Sequence, residues 1–187
     1  AERLANALAS STASAIGLES PCLDEDVLQA VGPRLRSLGS SPCAERLPEG
    51  QEDPSLLSLL GRVPESCTGL RRLSVRFWEQ IDPAILATVA AACPNLETLN
   101  LIFDQSDFQK APIDEGVAAL GRHCRQLEHL DLYDRRMDDA PAVLAQACKG
   151  WPRLLYLCAA STVEDNDWAR ADPGHVLPRA LALHCPR

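Results

Sequence analysis

The cysteines are the residues of this chain whose chemistry is most distinctive, because thiolates bind metals and act as nucleophiles. There are eight of them, and four, Cys67, Cys93, Cys124 and Cys148, recur 26, 31 and 24 residues apart. A structural zinc site usually takes cysteines paired about two to four residues apart, and this sequence has no such pair. We therefore expect these thiols to be small buried side chains that recur with a structural repeat, and we predict no metal ligands.

Histidines and acidic pairs are the other candidates for catalysis. The four histidines, at positions 123, 129, 175 and 184, belong to no nucleophile elbow and no H-E-x-x-H motif, and the chain has no phosphate-binding glycine loop. The acidic runs at 24–26 and 138–139 lie where helices are expected to begin, a place that favours carboxylates. We expect no catalytic residue and no cofactor, and the chain is not expected to be an enzyme.

The amino-acid composition disfavours some classes of binding partner. The 187 residues have a net charge of −8 and only 4% aromatic residues, which disfavours nucleic acid because phosphate would be repelled and stacking side chains are scarce. Hydrophobic residues make up 46%, which is enough for a packed core. No apolar stretch reaches the roughly 18 residues of a membrane span, and the Ala- and Ser-rich start lacks a secretory pattern.

An internal repeat explains the cysteine spacing. The segments 67–75, 93–101 and 124–132 share the pattern C-x-x-L-x-x-L-x-L, in which the final position is Val in the first copy. A fourth copy begins at Cys148 and aligns if three residues are inserted, which matches Pro152 with Pro94. The L-x-L portion predicts a strand with one buried side, since side chains alternate along a strand.

A helix is predicted before each cysteine. The segment 113–124 aligns without gaps with 137–148, and 81–93 follows with one extra residue. Asp82 before Pro83 is a suitable start, with an N-cap followed by proline. Each unit is therefore a strand, a turn and a helix, and stacked units bury the faces that one unit would leave exposed.

These motifs resemble the cysteine-containing subtype of leucine-rich repeat, familiar from F-box leucine-rich-repeat proteins in the ribonuclease-inhibitor-like superfamily. The resemblance implies an α/β solenoid, or horseshoe, with a parallel sheet on the concave face and helices on the convex face. We expect residues 1–22 to be a loop or helix outside the array and 23–66 to be degenerate repeats. Regular repeats then occupy 67–187, and this array is cut or capped at its C-terminal end.

The strand positions between the leucines should form columns on the concave face. Mixed polar and aromatic side chains there favour a partner-binding surface, although they would also suit a solvent-exposed sheet. Insertions at 102–112 and 159–174 leave one rim, where aromatic side chains could bind a partner or cover the core. The candidate partner-binding residues are Arg72, Arg76, Thr98, Asn100, Ile102, Phe108, His129, Asp131, Tyr133, Tyr156 and Trp168.

The expected function is recognition of another protein by the concave face and one rim. The resemblance implies the substrate-recognition part of an F-box-type ubiquitin ligase; Leu47-Pro48-Glu49 matches an F-box only superficially. The alternative is a structural or assembly subunit of a large multi-protein complex, organellar or not. Reduced thiols favour an intracellular location, in the cytoplasm or nucleus, and an import signal removed upstream would instead place the chain in an organelle.

Overall fold

The computed structural model describes residues 16–19, 31–40, 67–77, 83–103, 112–132, 140–158 and 183–185. Within these ranges the protein is a mixed α/β structure with a six-stranded sheet and three α-helices. A 3₁₀ turn, Gly32–Arg34, precedes the second strand. The strands are β1 Ile16–Glu19, β2 Leu35–Ser40, β3 Arg72–Phe77, β4 Thr98–Phe103, β5 His129–Asp131 and β6 Tyr156–Cys158, and the helices are α1 Pro83–Ala92, α2 Asp114–His123 and α3 Ala140–Cys148.

The sheet is parallel throughout, and its strands lie side by side in chain order. The repeat pattern sets its register, because Leu73, Leu99, Leu130 and Leu157 are aligned across four neighbouring strands. A shift of one residue would turn these leucines towards solvent, so their burial fixes the pairing. The predicted parallel sheet is confirmed.

The sheet begins earlier than the repeat pattern indicates. β1 (Ile16–Glu19) pairs with β2, although we expected residues 1–22 to be loop or helix outside the array. A strand there is favoured because it pairs backbone groups that the β2 edge would otherwise leave open. In β2, Leu35 and Leu38 are buried; most of the segment 23–66, where degenerate repeats were predicted, lies outside the described residues.

A tight turn connects each helix to the next strand. The N–H of Leu70 donates to the carbonyl of Cys67 at 2.9 Å, and the corresponding bonds from Leu96 to Cys93 and from Leu127 to Cys124 are 3.1 and 3.2 Å. This bond recurs because C-x-x-L places the donor three residues after the acceptor. Because these three turns share one geometry, each strand that follows begins at the same position of its repeat.

The helices follow from local sequence. α1 is rich in alanine and begins at a proline, both of which favour a helix there. α2 has Asp114 and Glu115 in its first turn and Arg122 and His123 in its last, which matches the helix dipole at both ends. Neighbouring helices contact each other in chain order. Of the helices in the described ranges, none combines the length and apolarity that crossing a membrane would require.

The core lies between the sheet and the helices. Leu99 and Leu130 from the strands are fully buried, as are Val117 and Leu120 from α2. Burial of each such side chain contributes about 1.5–3 kcal/mol. The predicted burial of the L-x-L leucines against the helices is therefore confirmed for the regular units.

The repeat thiols form a buried column at the helix ends. The Sγ of Cys93 donates to the carbonyl of Cys67 at 3.6 Å, and the Sγ of Cys124 donates to the carbonyl of Cys93 at 3.6 Å. Burial raises the pKa of Cys67 to about 11 and the pKa values of Cys93 and Cys124 to about 12, with a further contribution from the neighbouring thiol in the latter two. These groups remain thiols at neutral pH.

The fourth unit departs from the others. The strand register makes Trp151, rather than Cys148, equivalent to Cys124, and Trp151 accepts the turn bond from Leu154 at 3.2 Å. Its indole N–H donates to the carbonyl of Leu120 at 3.2 Å, so this large side chain stays hydrogen-bonded while fully buried. The three-residue insertion thus accommodates a tryptophan where the other units have a cysteine.

Two glycines allow α2 and α3 to end close together. A Cβ at Gly150 would overlap the carbonyl oxygen of Gly121, and a Cβ at Gly121 would lie 2.6 Å from the Cα of Ala147. These contacts are with backbone atoms, which cannot move aside as a flexible side chain could. The inserted turn is therefore possible because both positions lack a side chain.

Candidate partner-binding face

The residues between the buried leucines form two columns across the sheet. The first column is Arg72, Thr98, His129 and Tyr156, and the second is Ser74, Asn100, Asp131 and Cys158. We call these eight residues the polar sheet face. Both columns arise because the side chains of a strand alternate and the leucines occupy the buried side.

Exposure differs between the two columns. Arg72, His129 and Tyr156 of the first column are exposed, with Tyr156 at 48%. In the second column Asn100, Asp131 and Cys158 are half-buried. Thr98 of the first column is half-buried and Ser74 of the second column is exposed, so the two columns differ in exposure on β5 and β6.

Six of the predicted binding residues lie on the polar sheet face, namely Arg72, Thr98, Asn100, His129, Asp131 and Tyr156. The backbones of Arg76 and Ile102 are register partners that extend a third column. Tyr133, Phe108 and Trp168 lie outside the described residues.

Two aromatic rings stack at one end of the face. The ring centroids of His129 and Tyr156 are 6.2 Å apart and the ring planes are inclined by 29°. This distance is within the range in which aromatic pairs attract each other. The stack holds the exposed rings of β5 and β6 against each other.

The pKa of the Tyr156 phenol lies above its ordinary value. The largest cause is hydrogen bonding to the side chain of Cys158, and electrostatic interaction with Cys158 and with Asp131 raises that pKa further. Tyr156 therefore remains a neutral phenol, able to donate and accept hydrogen bonds, throughout the physiological range.

Two side-chain oxygens of the second column lack hydrogen-bond donors. They are Oδ1 of Asn100 and Oδ1 of Asp131, both buried from solvent and without a partner among the described residues. The two residues are register neighbours on β4 and β5. We call these two oxygens the orphan pair. The repeat pattern places the residues together, but the burial of single atoms has no signal in the sequence.

Charged residues surround the entrances to the strands. Arg71 pairs with Glu97 at 3.0 Å, and Arg153 donates both to Glu128 and to Gln126, the latter at 2.6 Å. These pairs are solvent-exposed, so each contributes only about 0–1 kcal/mol to stability. Each pair links two neighbouring strands, and the acidic partners Glu97 and Glu128 hold equivalent repeat positions.

Leu155 was not among the predicted residues. The N–H of Leu155 donates to the carbonyl of Glu128, just as the N–H of Glu128 donates to the carbonyl of Glu97. Leu155 therefore holds, before β6, the repeat position that Glu97 and Glu128 hold in earlier units. Its side chain is 55% exposed. The signal available in the sequence was the change from acidic residues to leucine at this repeat position. Leu155 is thus an exposed apolar side chain at the start of β6.

Metal binding and thiol chemistry gain no support from the geometry. Across the described ranges, no cluster of three or more His, Cys, Asp or Glu side chains is arranged to hold a metal ion. The raised pKa values keep the repeat thiols protonated, whereas metal ligation and nucleophilic attack require thiolate.

No protein-family model and no curated protein matches this chain.

Proposed function

We propose that this chain is a leucine-rich-repeat solenoid that binds another protein through its polar sheet face. The observation that supports this most is the pair of in-register columns, which bring arginine, aromatic and polar side chains together on a continuous parallel sheet. Tyrosine and arginine are enriched among the residues that dominate binding energy. Strands also hold side chains more rigidly than loops do, which lowers the entropy lost on binding.

The dimensions of the polar sheet face suit a protein segment. Neighbouring strands lie about 4.8 Å apart, so four strands span about 14 Å. Its charges are mixed, with Arg72 on β3 and Asp131 on β5. A polyanion would be repelled by the net charge of −8, whereas a polypeptide of complementary charge would not.

The resemblance of the C-x-x-L-x-x-L-x-L repeat to F-box leucine-rich-repeat proteins extends the proposal. On that basis the bound protein is a substrate presented to a ubiquitin ligase. Co-purification of the intact protein with ligase components, together with faster turnover of the bound protein, would support this role. Recovery of the chain solely as a stoichiometric subunit of a stable particle would instead support the structural role.

Affinity capture with face variants tests the proposal. The intact protein is tagged and compared with Arg72→Ala and Tyr156→Ala, both on exposed positions of the polar sheet face. Arg125→Ala is the matched control, since Arg125 is exposed in a turn at the end of α2. We expect each face variant to lose on the order of 10-fold or more in affinity, as a binding hot spot does, with unchanged melting temperature. Full binding by both face variants would refute the proposal.

A further inference from the structure

Arginines are concentrated where β2 and β3 begin. The N–H of Arg71 donates to the carbonyl of Arg36 at 2.9 Å, so these two residues lie side by side on neighbouring chain segments. Arg72 follows Arg71 directly and is the register partner of Ser37. We call Arg36, Arg71 and Arg72 the basic corner. Because adjacent strands lie about 4.8 Å apart, three positive charges share a small part of a chain whose net charge is −8.

Among the described residues, a carboxylate pairs with one of these three charges. Arg71 forms an ion pair with Oε1 of Glu97 at 3.0 Å. Arg36 instead donates from Nη1 to the carbonyls of Pro33 and Leu35, each at 3.2 Å. Carbonyls carry no net charge, so these bonds hold the Arg36 guanidinium in place without neutralising it. The basic corner therefore keeps an excess of positive charge.

The turn before β3 makes room for the Arg36 side chain. A Cβ at Gly69 would overlap the Arg36 guanidinium, so this group lies directly against the turn. The corresponding positions of the next two units carry Asn95 and Gln126, which have side chains. Gly69 is therefore the residue that permits this position of the guanidinium. A side chain that is already held in place loses less entropy when it binds a ligand.

The basic corner is open to solvent, and the charge changes sign beyond it. Arg72 is exposed, and the Arg71 side chain is 57% exposed. In the next two units the repeat position of Arg71 is held by Glu97 and then by Glu128. A segment that crosses the strands therefore meets positive charge at β2 and β3 and acidic side chains at β4 and β5. Such a pattern fixes the orientation of a bound segment through electrostatic complementarity.

We propose that the basic corner binds an acidic segment of the protein partner, one that presents glutamate or aspartate side chains. This inference rests on the proposed function and specifies how the partner lies, with its acidic part at β2 and β3. Carboxylates suit arginine because their two oxygens accept parallel N–H bonds from one guanidinium. A short segment contacts the basic corner alone, whereas a long polyanion such as nucleic acid also meets the repulsion of the net charge of −8.

Binding of a short acidic peptide tests this directly. The probe is rhodamine-labelled hexaglutamate, titrated into the intact protein and followed by fluorescence anisotropy. Hexaglutamine is the matched uncharged probe. We expect saturable binding of hexaglutamate and at least about 10-fold weaker binding of hexaglutamine. Raising the salt concentration from about 50 to about 300 mM should weaken hexaglutamate binding several-fold, because salt screens exposed charges.

Variants that remove single charges locate the binding site. Arg36→Gln and Arg72→Gln should each weaken hexaglutamate binding by about 3- to 10-fold, whereas Arg36→Lys keeps the charge and should stay within about 2-fold of the wild-type affinity. Arg125→Gln removes an exposed arginine from the turn after α2 and should leave the affinity unchanged. If Arg36→Gln proves unstable, Arg72→Gln decides the result, because Arg72 is exposed and its loss should not lower the melting temperature.

Defined outcomes would overturn the inference. They are equal binding of hexaglutamate and hexaglutamine, wild-type affinity for hexaglutamate in Arg72→Gln, and tighter binding of a short oligothymidylate than of hexaglutamate, which would make the ligand a nucleic acid. If hexaglutamate does not bind while Arg72→Ala and Tyr156→Ala still lose the captured partner, this inference alone is wrong. If those two variants keep the partner, the proposed function is wrong as well.

Discussion

Replacing Cys124 with serine tests the packing of the repeat. The Cys124 Sγ donates to the carbonyls of Ala90 and Cys93, each at 3.6 Å. A C–O bond is shorter than a C–S bond, so the serine oxygen would lie farther from both carbonyls than sulfur does. Hydroxyl hydrogen bonds need about 2.5–3.0 Å, and the side chain is fully buried. The substitution therefore buries a hydroxyl without a partner.

The expected cost of Cys124→Ser is about 1–3 kcal/mol of unfolding free energy, the penalty of an unsatisfied buried hydroxyl. Urea unfolding followed by circular dichroism measures it, and the melting temperature should fall by roughly 2–12 °C for a chain of this size. Cys158→Ser is the matched control, because Cys158 is half-buried on the polar sheet face, and it should cost under about 0.5 kcal/mol. Equal unfolding midpoints for the wild-type protein and Cys124→Ser would refute this account of the thiol column.

Two further predictions concern the helix ends and pH. Gly150→Ala should lower the free energy of unfolding by more than about 3 kcal/mol or prevent folding, because the new Cβ would overlap the Gly121 carbonyl. Urea unfolding measures this loss, with Thr88→Ala on the exposed side of α1 as the control. Wild-type stability in Gly150→Ala would contradict the close approach of the two helix ends. Burial raises the thiol pKa from 9.0 to about 11 in Cys67 and about 12 in Cys93. Thiols of the unfolded state therefore lose their protons at a lower pH than those of the folded state. The stabilisation that comes from these buried thiols should be fully present below pH 9 and should be lost as the pH rises towards 11–12. Urea midpoints that stay constant between pH 8 and pH 10.5 would contradict this prediction.

The sequence predicted the features that depend on the repeat period. The register of Leu99 with Leu130 follows from the spacing of C-x-x-L-x-x-L-x-L, since burial of one side leaves a single acceptable pairing. The columns of the polar sheet face follow from the same alternation. These features were predictable because one short-range pattern recurs along the chain.

Structural features that do not recur with the repeat could not be predicted from the sequence pattern. β1 lies outside the C-x-x-L-x-x-L-x-L copies, and its Leu18 is nevertheless the register partner of Leu38 in β2, which a search for that pattern does not find. The close approach at Gly121 and Gly150 depends on where two helices end in space. The orphan pair depends on the burial of single atoms, which periodicity does not specify.

Photo-crosslinking from the sheet tests the central claim most directly. A photoreactive amino acid is placed at Thr98, on the polar sheet face, or at Thr88, exposed on α1. The intact protein is then irradiated with its captured partner. Our account predicts crosslinks from position 98 and none from position 88. Crosslinks from position 88 with none from position 98 would show that the partner binds the helices and would contradict the account.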